Sequence, residues 1–162
     1  MPTTIYVHTG SNEGDRLKHL QTAEKHLEQR FGACLLRSRV YETAAWGIEE
    51  QPDFLNQALA FSTDRLPFTL LDILLGIEQE MGRERRIKWG QRLIDIDLLF
   101  YGRIRIHTDR LKLPHPYLHQ RNFVLQPMLE IAPDLIHPAF DLSIRQLAER
   151  TTDKRPAWVY EP

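Results

Sequence analysis

The sequence predicts one α+β domain in which helices pack on an antiparallel β-sheet. Two long segments carry apolar residues at helical spacing, and they alternate with short runs rich in β-branched and aromatic residues. The 162 residues are enough for one sizeable hydrophobic core. No internal repeat or low-complexity linker divides the chain, so we expect residues 1–162 to form a single domain.

The N-terminal half of the chain predicts three strands and one helix. The first strand covers residues 4–9, and Asp15 follows it in a position to cap a helix that ends at Gly32. The helix is identified by its regularly spaced apolar residues, which are Leu17, Leu20, Ala23, Leu27 and Phe31. The second and third strands are predicted at 34–43 and 55–63, with a loop between them.

The C-terminal half begins with a second helix, which Pro67 opens and Gly82 ends. A basic loop then leads to a strand at 93–101 and a short strand at 104–107. The remaining predicted elements are an extended or turned segment at 111–119 and helices at 122–131 and 142–150. This order, β-α-β-β-α-β with a C-terminal extension, is the ferredoxin-like pattern, an antiparallel sheet with helices packed on one face.

Composition limits the expected partners and location. A net charge of −1 gives no overall basic field, so no nucleic-acid partner is expected. No apolar run is long enough to cross a membrane and the N-terminus lacks a signal-peptide pattern, so we expect no membrane partner and a cytoplasmic location. The single cysteine, Cys34, excludes an intrachain disulfide, fits a reducing compartment and is interpreted as a small core residue. Nothing marks an unusually apolar exposed face, so a monomer is expected.

Two aspartates, Asp95 and Asp97, interrupt an apolar strand in the segment WGQRLIDIDLLF. Because side chains alternate along a strand, both acids lie on one face, with their Cα atoms roughly 6.6 Å apart. Their carboxylates would repel by ~3 kcal/mol at a separation of about 5 Å. One interpretation is a solvated strand face. The other is a site for a divalent cation, because Mg²⁺ prefers carboxylate oxygens.

A basic segment precedes the two aspartates. Its cations are Arg83, Arg85, Arg86, Lys88 and Arg92, opposed only by Glu84. Such a cluster can serve solubility on a surface loop, but its density favours binding to an anion.

Five segments in this order resemble the 6-hydroxymethyl-7,8-dihydropterin pyrophosphokinase family. They are GSNEGD at 10–15, YETAAWGIEEQPDFLNQA at 41–58, IEQEMGRER at 77–85, KWGQRLIDIDLLFYG at 88–102 and LPHPYLHQRNFVLQPMLEIAP at 113–133. GSN alone carries no weight, whereas the W-G-x-R-x-x-D-x-D-L-L run is specific. The chain departs from the family's common residues at Gln91 and Pro116.

The resemblance implies transfer of pyrophosphate from ATP to the hydroxymethyl group of the reduced pterin, giving AMP. It also implies two Mg²⁺ ions, which Asp95 and Asp97 hold, and these dications would neutralise the paired acids. The implied catalytic residues are Arg83, Arg85, Arg92, Asp95 and Asp97.

For ATP, the resemblance implies contacts with Glu78, Arg85, Trp89, Arg92, Leu98, His115 and Arg121. Three of these residues also have simpler interpretations. Glu78 is equally consistent with a solvated acid on a helix, and His115 with a rigid turn between prolines. Arg92 suits a bidentate phosphate contact, but a surface salt bridge with one of the aspartates is the alternative.

For the pterin, the resemblance implies contacts with Thr43, Ala44, Trp46, Phe54, Asn56, Trp89, Asp95 and Phe123. Phe54 and Phe123 would stack on the flat ring, although either is also consistent with ordinary core packing. Asn56 would bind the amide edge of the pterin, since an inward-facing Asn on an apolar strand needs a polar partner.

Two other function classes are compatible with parts of the sequence. Nucleotidyl transferases also combine Gly-Ser with D-x-D, but there the two elements usually lie within about one hairpin of each other, whereas Gly10 is far from Asp95 in this chain. A non-enzymatic ferredoxin-like module that binds a small ligand would not need the aspartates and arginines together. Release of AMP and Mg²⁺-dependent ATP binding, respectively, would argue against these two classes.

Overall fold

The computed structural model describes residues 2–44, 51–82 and 93–162 of the chain. Within these ranges it is a mixed α/β fold with four α-helices and an antiparallel sheet. The strands are β1 (Thr3–Ser11), β2 (Leu36–Arg37), β3 (Tyr41–Thr43), β4 (Phe54–Thr63), β5 (Asp95–Tyr101), β6 (Ile106–His107), β7 (Lys112–Leu113), β8 (Ile136–His137), β9 (Leu142–Ser143) and β10 (Trp158–Val159). The helices are α1 (Arg16–Phe31), α2 (Pro67–Glu80), α3 (Asn122–Ile131) and α4 (Ile144–Arg150), with a short 3-10 helix at Leu118–Gln120.

The main sheet has the strand order β10-β3-β4-β1-β5, and β2 also pairs with β4. Every strand pair in the described residues is antiparallel. β1 lies between β4 and β5, so it connects the strand that carries Phe54 and Asn56 to the strand that carries Asp95, Asp97 and Leu98. The hairpins β6-β7 and β8-β9 form two small separate sheets.

Both faces of the main sheet are covered. This follows from β4, which is buried without interruption from Leu55 to Phe61 although its side chains alternate between the two faces. On one face, Ile5 and Val7 of β1 belong to a first core with apolar residues of α1 and α2. On the other face, Ala58 and residues of α3 and α4 form a second core. The expectation of helices on one face therefore describes α1 and α2 but omits α3 and α4.

Helix ends follow the predicted local chemistry. The Asp15 carboxylate accepts a hydrogen bond from the Lys18 N–H at 3.2 Å and caps α1. Gly32 ends α1 with a φ of 87°, a conformation that favours glycine. Pro67 is the first residue of α2, and Gly82 follows the end of that helix with a φ of 83°. The prediction for α3 agrees in both of its bounds.

The predicted strand at 34–43 is wrong in one respect, because the structure divides it into β2 and β3. Between them, the Ser38 N–H donates to the Ala58 carbonyl, and the Ser38 hydroxyl accepts from the Ala58 N–H at 3.0 Å. A side chain thus replaces a backbone acceptor, and regular pairing stops. Cys34 is half-buried at the rim of the first core, in keeping with its interpretation as a small core residue.

Other boundaries also move. β1 continues through Gly10 to Ser11, beyond the predicted end of the first strand, because β4 and β5 pair with it there. The last helix begins at Ile144 rather than 142, since Ser143 caps it through a reciprocal pair of hydrogen bonds with Gln146. No helix in the described residues is long and apolar enough to cross a membrane.

Candidate active site

Three strands bring two of the candidate site residues, Asn56 and Asp95, into one row across the sheet. Gly10 of β1 pairs with Asn56 of β4 on one side and with Asp95 of β5 on the other. The next row on the same face of β1 pairs His8 with Asp97. The β4 segment with the predicted pterin contacts and the D-x-D segment in β5 are therefore brought together by β1.

Asp95 and Asp97 occupy one face of β5, as the alternation of side chains predicted. Both are half-buried, whereas Ile96 and Leu98 between and after them point into the first core. Leu98, which was expected to contact ATP, is therefore a core residue at 6% exposure, and its contact with the nucleotide stays a prediction.

Glu78 is buried, so its interpretation as a solvated helix acid is wrong. It lies on the last turns of α2, and its Oε2 accepts a hydrogen bond from the Ile96 N–H at 2.7 Å. This bond fixes the backbone of β5 between the two aspartates. A charged acceptor of this kind is among the stronger hydrogen bonds in proteins.

The predicted pterin residues of β3 and β4 contact one another. Asn56 is 1% exposed, and its amide donates to the Thr43 hydroxyl at 2.8 Å. Thr43 pairs with Phe54 in the β3-β4 ladder, and the exposed Ala44 follows it. Thr43, Ala44, Phe54 and Asn56 therefore line one end of this strand pair.

The turn after β1 holds the end of the β3-β4 loop. The side-chain amide of Asn12 donates to the Gln51 side chain and to the Pro52 carbonyl, both at 3.1 Å. Arg16 donates to the Asp53 carbonyl at 2.7 Å. These bonds fix the residues that lead into Phe54 and explain why a Gly-Ser-Asn turn lies beside the predicted pterin residues.

The second core also carries site residues near the start of α3, because Phe123 packs against it and Arg121 and His115 precede this helix. The guanidinium carbon of Arg121 lies 5.7 Å from the centre of the Phe123 ring. Burial, and then the positive charge of Arg121, lower the pKa of His115 to about 4, so its imidazole is neutral at pH 7. Phe123 is half-buried and packs on the second core, so part of its ring has the core role that was the alternative interpretation.

His8 was not predicted as a site residue, although the structure places it among them. Its ring meets Phe123 edge to face, with the ring centres 5.6 Å apart. Burial, followed by the charges of His115 and Arg121, lowers its pKa to about 3. A histidine inside the apolar segment TIYVHT was the available signal in the sequence.

Five of the predicted site residues lie outside the described part of the chain, namely Trp46, Arg83, Arg85, Trp89 and Arg92. Their contacts with ATP or pterin remain predictions. The described members of the predicted set lie on β3, β4, β5, α2, α3 and the segment before α3.

The donor set suits Mg²⁺ rather than a metal held by protein alone. No cluster of three or more His, Cys, Asp and Glu side chains occurs in the ranges 2–44, 51–82 and 93–162. Asp95 and Asp97 supply two hard carboxylates on one half-exposed face. Mg²⁺ is commonly bound through one or two carboxylates and completed by water and substrate phosphates, so these residues fit that ion.

Residues 6–133 match the family model described as 7,8-dihydro-6-hydroxymethylpterin-pyrophosphokinase. A 2-amino-4-hydroxy-6-hydroxymethyldihydropteridine pyrophosphokinase of Aquifex aeolicus is 43% identical over 151 residues, which cover 93% of this chain and 94% of that protein. A protein of the same name from Bacillus subtilis is 41% identical and covers 81% of this chain and 79% of its own length.

Solved structures resemble the fold. The HPPK-DHPS protein of Plasmodium falciparum with pteroate has a TM-score of 0.74 at 16% identity, covering 93% of this chain. An HPPK-DHPS in complex with substrates has a TM-score of 0.75 at 18% identity, covering 91% of this chain. This chain spans 42% of each of those two chains, and at such identities the likeness concerns the fold alone.

Proposed function

Because the chain belongs to the 7,8-dihydro-6-hydroxymethylpterin-pyrophosphokinase family, we propose that it transfers pyrophosphate from ATP to 6-hydroxymethyl-7,8-dihydropterin. The products are the pterin diphosphate and AMP, in tetrahydrofolate biosynthesis. The observation that carries the proposal is the row formed by Asn56, Gly10 and Asp95, which joins the buried amide of Asn56 in β4 to the carboxylates of β5.

The pterin binds beside β3 and β4 in this proposal. Phe54 and Phe123 stack on the planar heterocycle, which suits its flat apolar faces. The buried Asn56, already oriented by Thr43, faces the polar edge of the ring. Ala44, Trp46 and Trp89 complete this part of the site.

Asp95 and Asp97 would hold two Mg²⁺ ions together with the triphosphate. When bound, such ions neutralise charge on the phosphate oxygens and act as Lewis acids. Glu78 keeps the backbone between the two carboxylates fixed through its bond to the Ile96 N–H. The ligands are therefore positioned before substrates bind.

His115 and Arg121 lie on the phosphate side of the site. Arg121 provides a permanent positive charge, and the neutral His115, whose Nδ1 accepts a hydrogen bond from the Tyr117 N–H, can donate one hydrogen bond through Nε2. The arginines at 83, 85 and 92 add cations that bind the β- and γ-phosphate oxygens. Glu78 and Leu98 border the nucleoside end.

The reaction is a direct displacement in a complex that contains both substrates. The hydroxymethyl oxygen of the pterin forms a bond to the β-phosphorus, and the bond from that phosphorus to the α–β bridging oxygen breaks. AMP leaves with the electron pair of that bond, and the hydroxyl proton is released. The residues of this chain align the two oxygens and stabilise the charge on the leaving group.

The finer features of the fold belong to the same proposal. The order β5-β1-β4-β3 with α1 and α2 supports a ferredoxin-like unit, and α3 and α4 support a C-terminal extension. We propose one domain over residues 1–162, a monomer and a cytoplasmic location. The single Cys34, consistent with a reducing compartment, supports that location.

Substitution of Asp97 tests the assignment of the metal ligands. Asp97→Ala is expected to lower kcat by about a thousandfold, since several kcal/mol of charge stabilisation are removed. Asp134→Ala, which removes an exposed acid paired with Arg145 at 3.2 Å, is the matched control and should retain full activity. An Asp97→Ala enzyme with a third of the wild-type rate would contradict the assignment.

A further inference from the structure

His8 is a buried polar residue whose ring nitrogens lack a hydrogen bond of normal geometry to any described residue. Its side chain belongs to β1 and is 3% exposed. Neither Nδ1 nor Nε2 has a hydrogen-bond partner of normal geometry in the described ranges. Buried polar groups are nearly always paired in native proteins, because leaving one unpaired costs free energy. An exception inside a candidate site therefore points to a partner that arrives with the ligand.

The neighbours of His8 belong to the candidate site on every side. Asp97 pairs with it across β5, and the ring of Phe123 packs against it at 5.6 Å. The side chain of Asn56 and the Phe123 backbone make only weak hydrogen bonds to the ring, and these oppose the lowering of its pKa. His115 and Arg121 are near enough to lower it. His8 thus lies where the predicted pterin residues meet the predicted phosphate residues.

The chemistry of the His8 side chain limits what it can bind. Its imidazole is buried and, in the neutral form, offers one donor and one acceptor. Such a group suits an uncharged heterocycle better than a phosphate, for which Arg121 is the stronger partner.

We propose that His8 is a further binding residue of the site, and that its imidazole hydrogen-bonds an uncharged polar group of the bound pterin. A ring nitrogen, an amino group or the hydroxymethyl group of the ligand would serve. This inference rests on the proposed function, since it takes the pterin as the ligand beside Phe123 and Asn56. In the empty protein the unpaired nitrogens are a cost to folding that ligand binding removes.

Equilibrium binding to His8 variants tests the proposal. His8→Leu and His8→Met fill similar space without hydrogen-bonding groups, whereas His8→Gln keeps a donor and an acceptor. Affinity for 6-hydroxymethyl-7,8-dihydropterin is measured with a non-hydrolysable ATP analogue and Mg²⁺ present, and affinity for the analogue is measured alone. Urea unfolding is followed for each variant. Tyr6→Phe, on the same strand and face, is the matched control.

We expect both apolar variants to bind the pterin about tenfold more weakly, the loss of one hydrogen bond, while their affinity for the ATP analogue stays within about twofold. Their urea midpoints should equal or exceed that of the wild type. His8→Gln should recover part of the pterin affinity, and Tyr6→Phe should change neither affinity.

Unchanged pterin affinity in His8→Leu and His8→Met would overturn the proposal. An equal loss of both affinities with a lower urea midpoint would also overturn it, because His8 would then be a packing residue. If the wild-type protein itself binds no pterin, the proposed function fails and the proposal about His8 falls with it. If the wild type binds and the variants bind equally well, only the proposal about His8 fails.

Discussion

The His137→Asn substitution is expected to make the protein less sensitive to mild acid. His137 lies in β8 and is 3% exposed, stacked on Phe140 with the ring centres 4.2 Å apart. Its Nδ1 accepts hydrogen bonds from the Ala139 N–H at 3.1 Å and the Phe140 N–H at 3.2 Å. Burial is the main cause that lowers its pKa to about 4, and the charges of His119 and Arg105 add to it.

The sign and size of the effect follow from this pKa. In the unfolded chain a histidine has a pKa of about 6.5, so between that value and about 4 only the unfolded state binds the proton. The protein therefore keeps its full unfolding free energy above the pKa of the unfolded chain, and it loses part of that free energy as the pH falls through this window. Each pH unit removes about 1.36 kcal/mol of unfolding free energy. The contribution of His137 to this loss is therefore about 2 kcal/mol between pH 7 and pH 5.

Urea unfolding of the wild type and His137→Asn at these two pH values measures this contribution to the unfolding free energy. Asparagine can still accept a hydrogen bond from the backbone through Oδ1, but it does not titrate. The wild type should lose about 2 kcal/mol more unfolding free energy than the variant on acidification. His107→Asn, an exposed histidine on β6, should behave as the wild type. Equal losses in the wild type and His137→Asn would refute the assignment of a buried neutral imidazole.

Two further predictions concern residues that position the site. Glu78→Leu leaves the Ile96 N–H without its acceptor and should lower the unfolding free energy by about 1–3 kcal/mol and also reduce kcat, whereas Glu78→Gln should keep most of the stability. Unfolding curves and turnover that do not change in Glu78→Leu would show that this bond does not position the aspartates. Asn12→Ala removes the contacts to Gln51 and Pro52, so it should weaken pterin binding by about tenfold but leave the affinity for an ATP analogue unchanged. If calorimetry showed an equal loss of affinity for the pterin and for the ATP analogue, a role confined to the pterin side would be contradicted.

Features that depend on neighbouring residues in the chain could be predicted from the sequence. The cap at Asp15, the start of α2 at Pro67 and the shared face of Asp95 and Asp97 all follow from local geometry. The division of the strand at 34–43 could not be predicted, because it depends on the Ser38 hydroxyl meeting Ala58, which is distant in sequence.

The environments of buried polar residues were also beyond sequence reasoning. Glu78 lies four residues after Leu74, so helical spacing places it on the buried face of α2, but only the packing of α2 on β5 brings it to the Ile96 N–H. His8 occupies an ordinary position in a strand, and only the packing of α3 brings the Phe123 ring against it. In both cases a contact between distant segments determines the role, and no single segment carries that information.

Identification of the nucleotide product tests the central claim most directly. The purified protein is incubated with ATP, Mg²⁺ and 6-hydroxymethyl-7,8-dihydropterin, and the nucleotides and pterins are separated by chromatography. Attack at the β-phosphorus predicts that AMP and the pterin diphosphate rise in equal amounts, and only when both the pterin and Mg²⁺ are present. Stoichiometric ADP without AMP would instead show transfer of the γ-phosphoryl group and would contradict the proposed pyrophosphokinase activity.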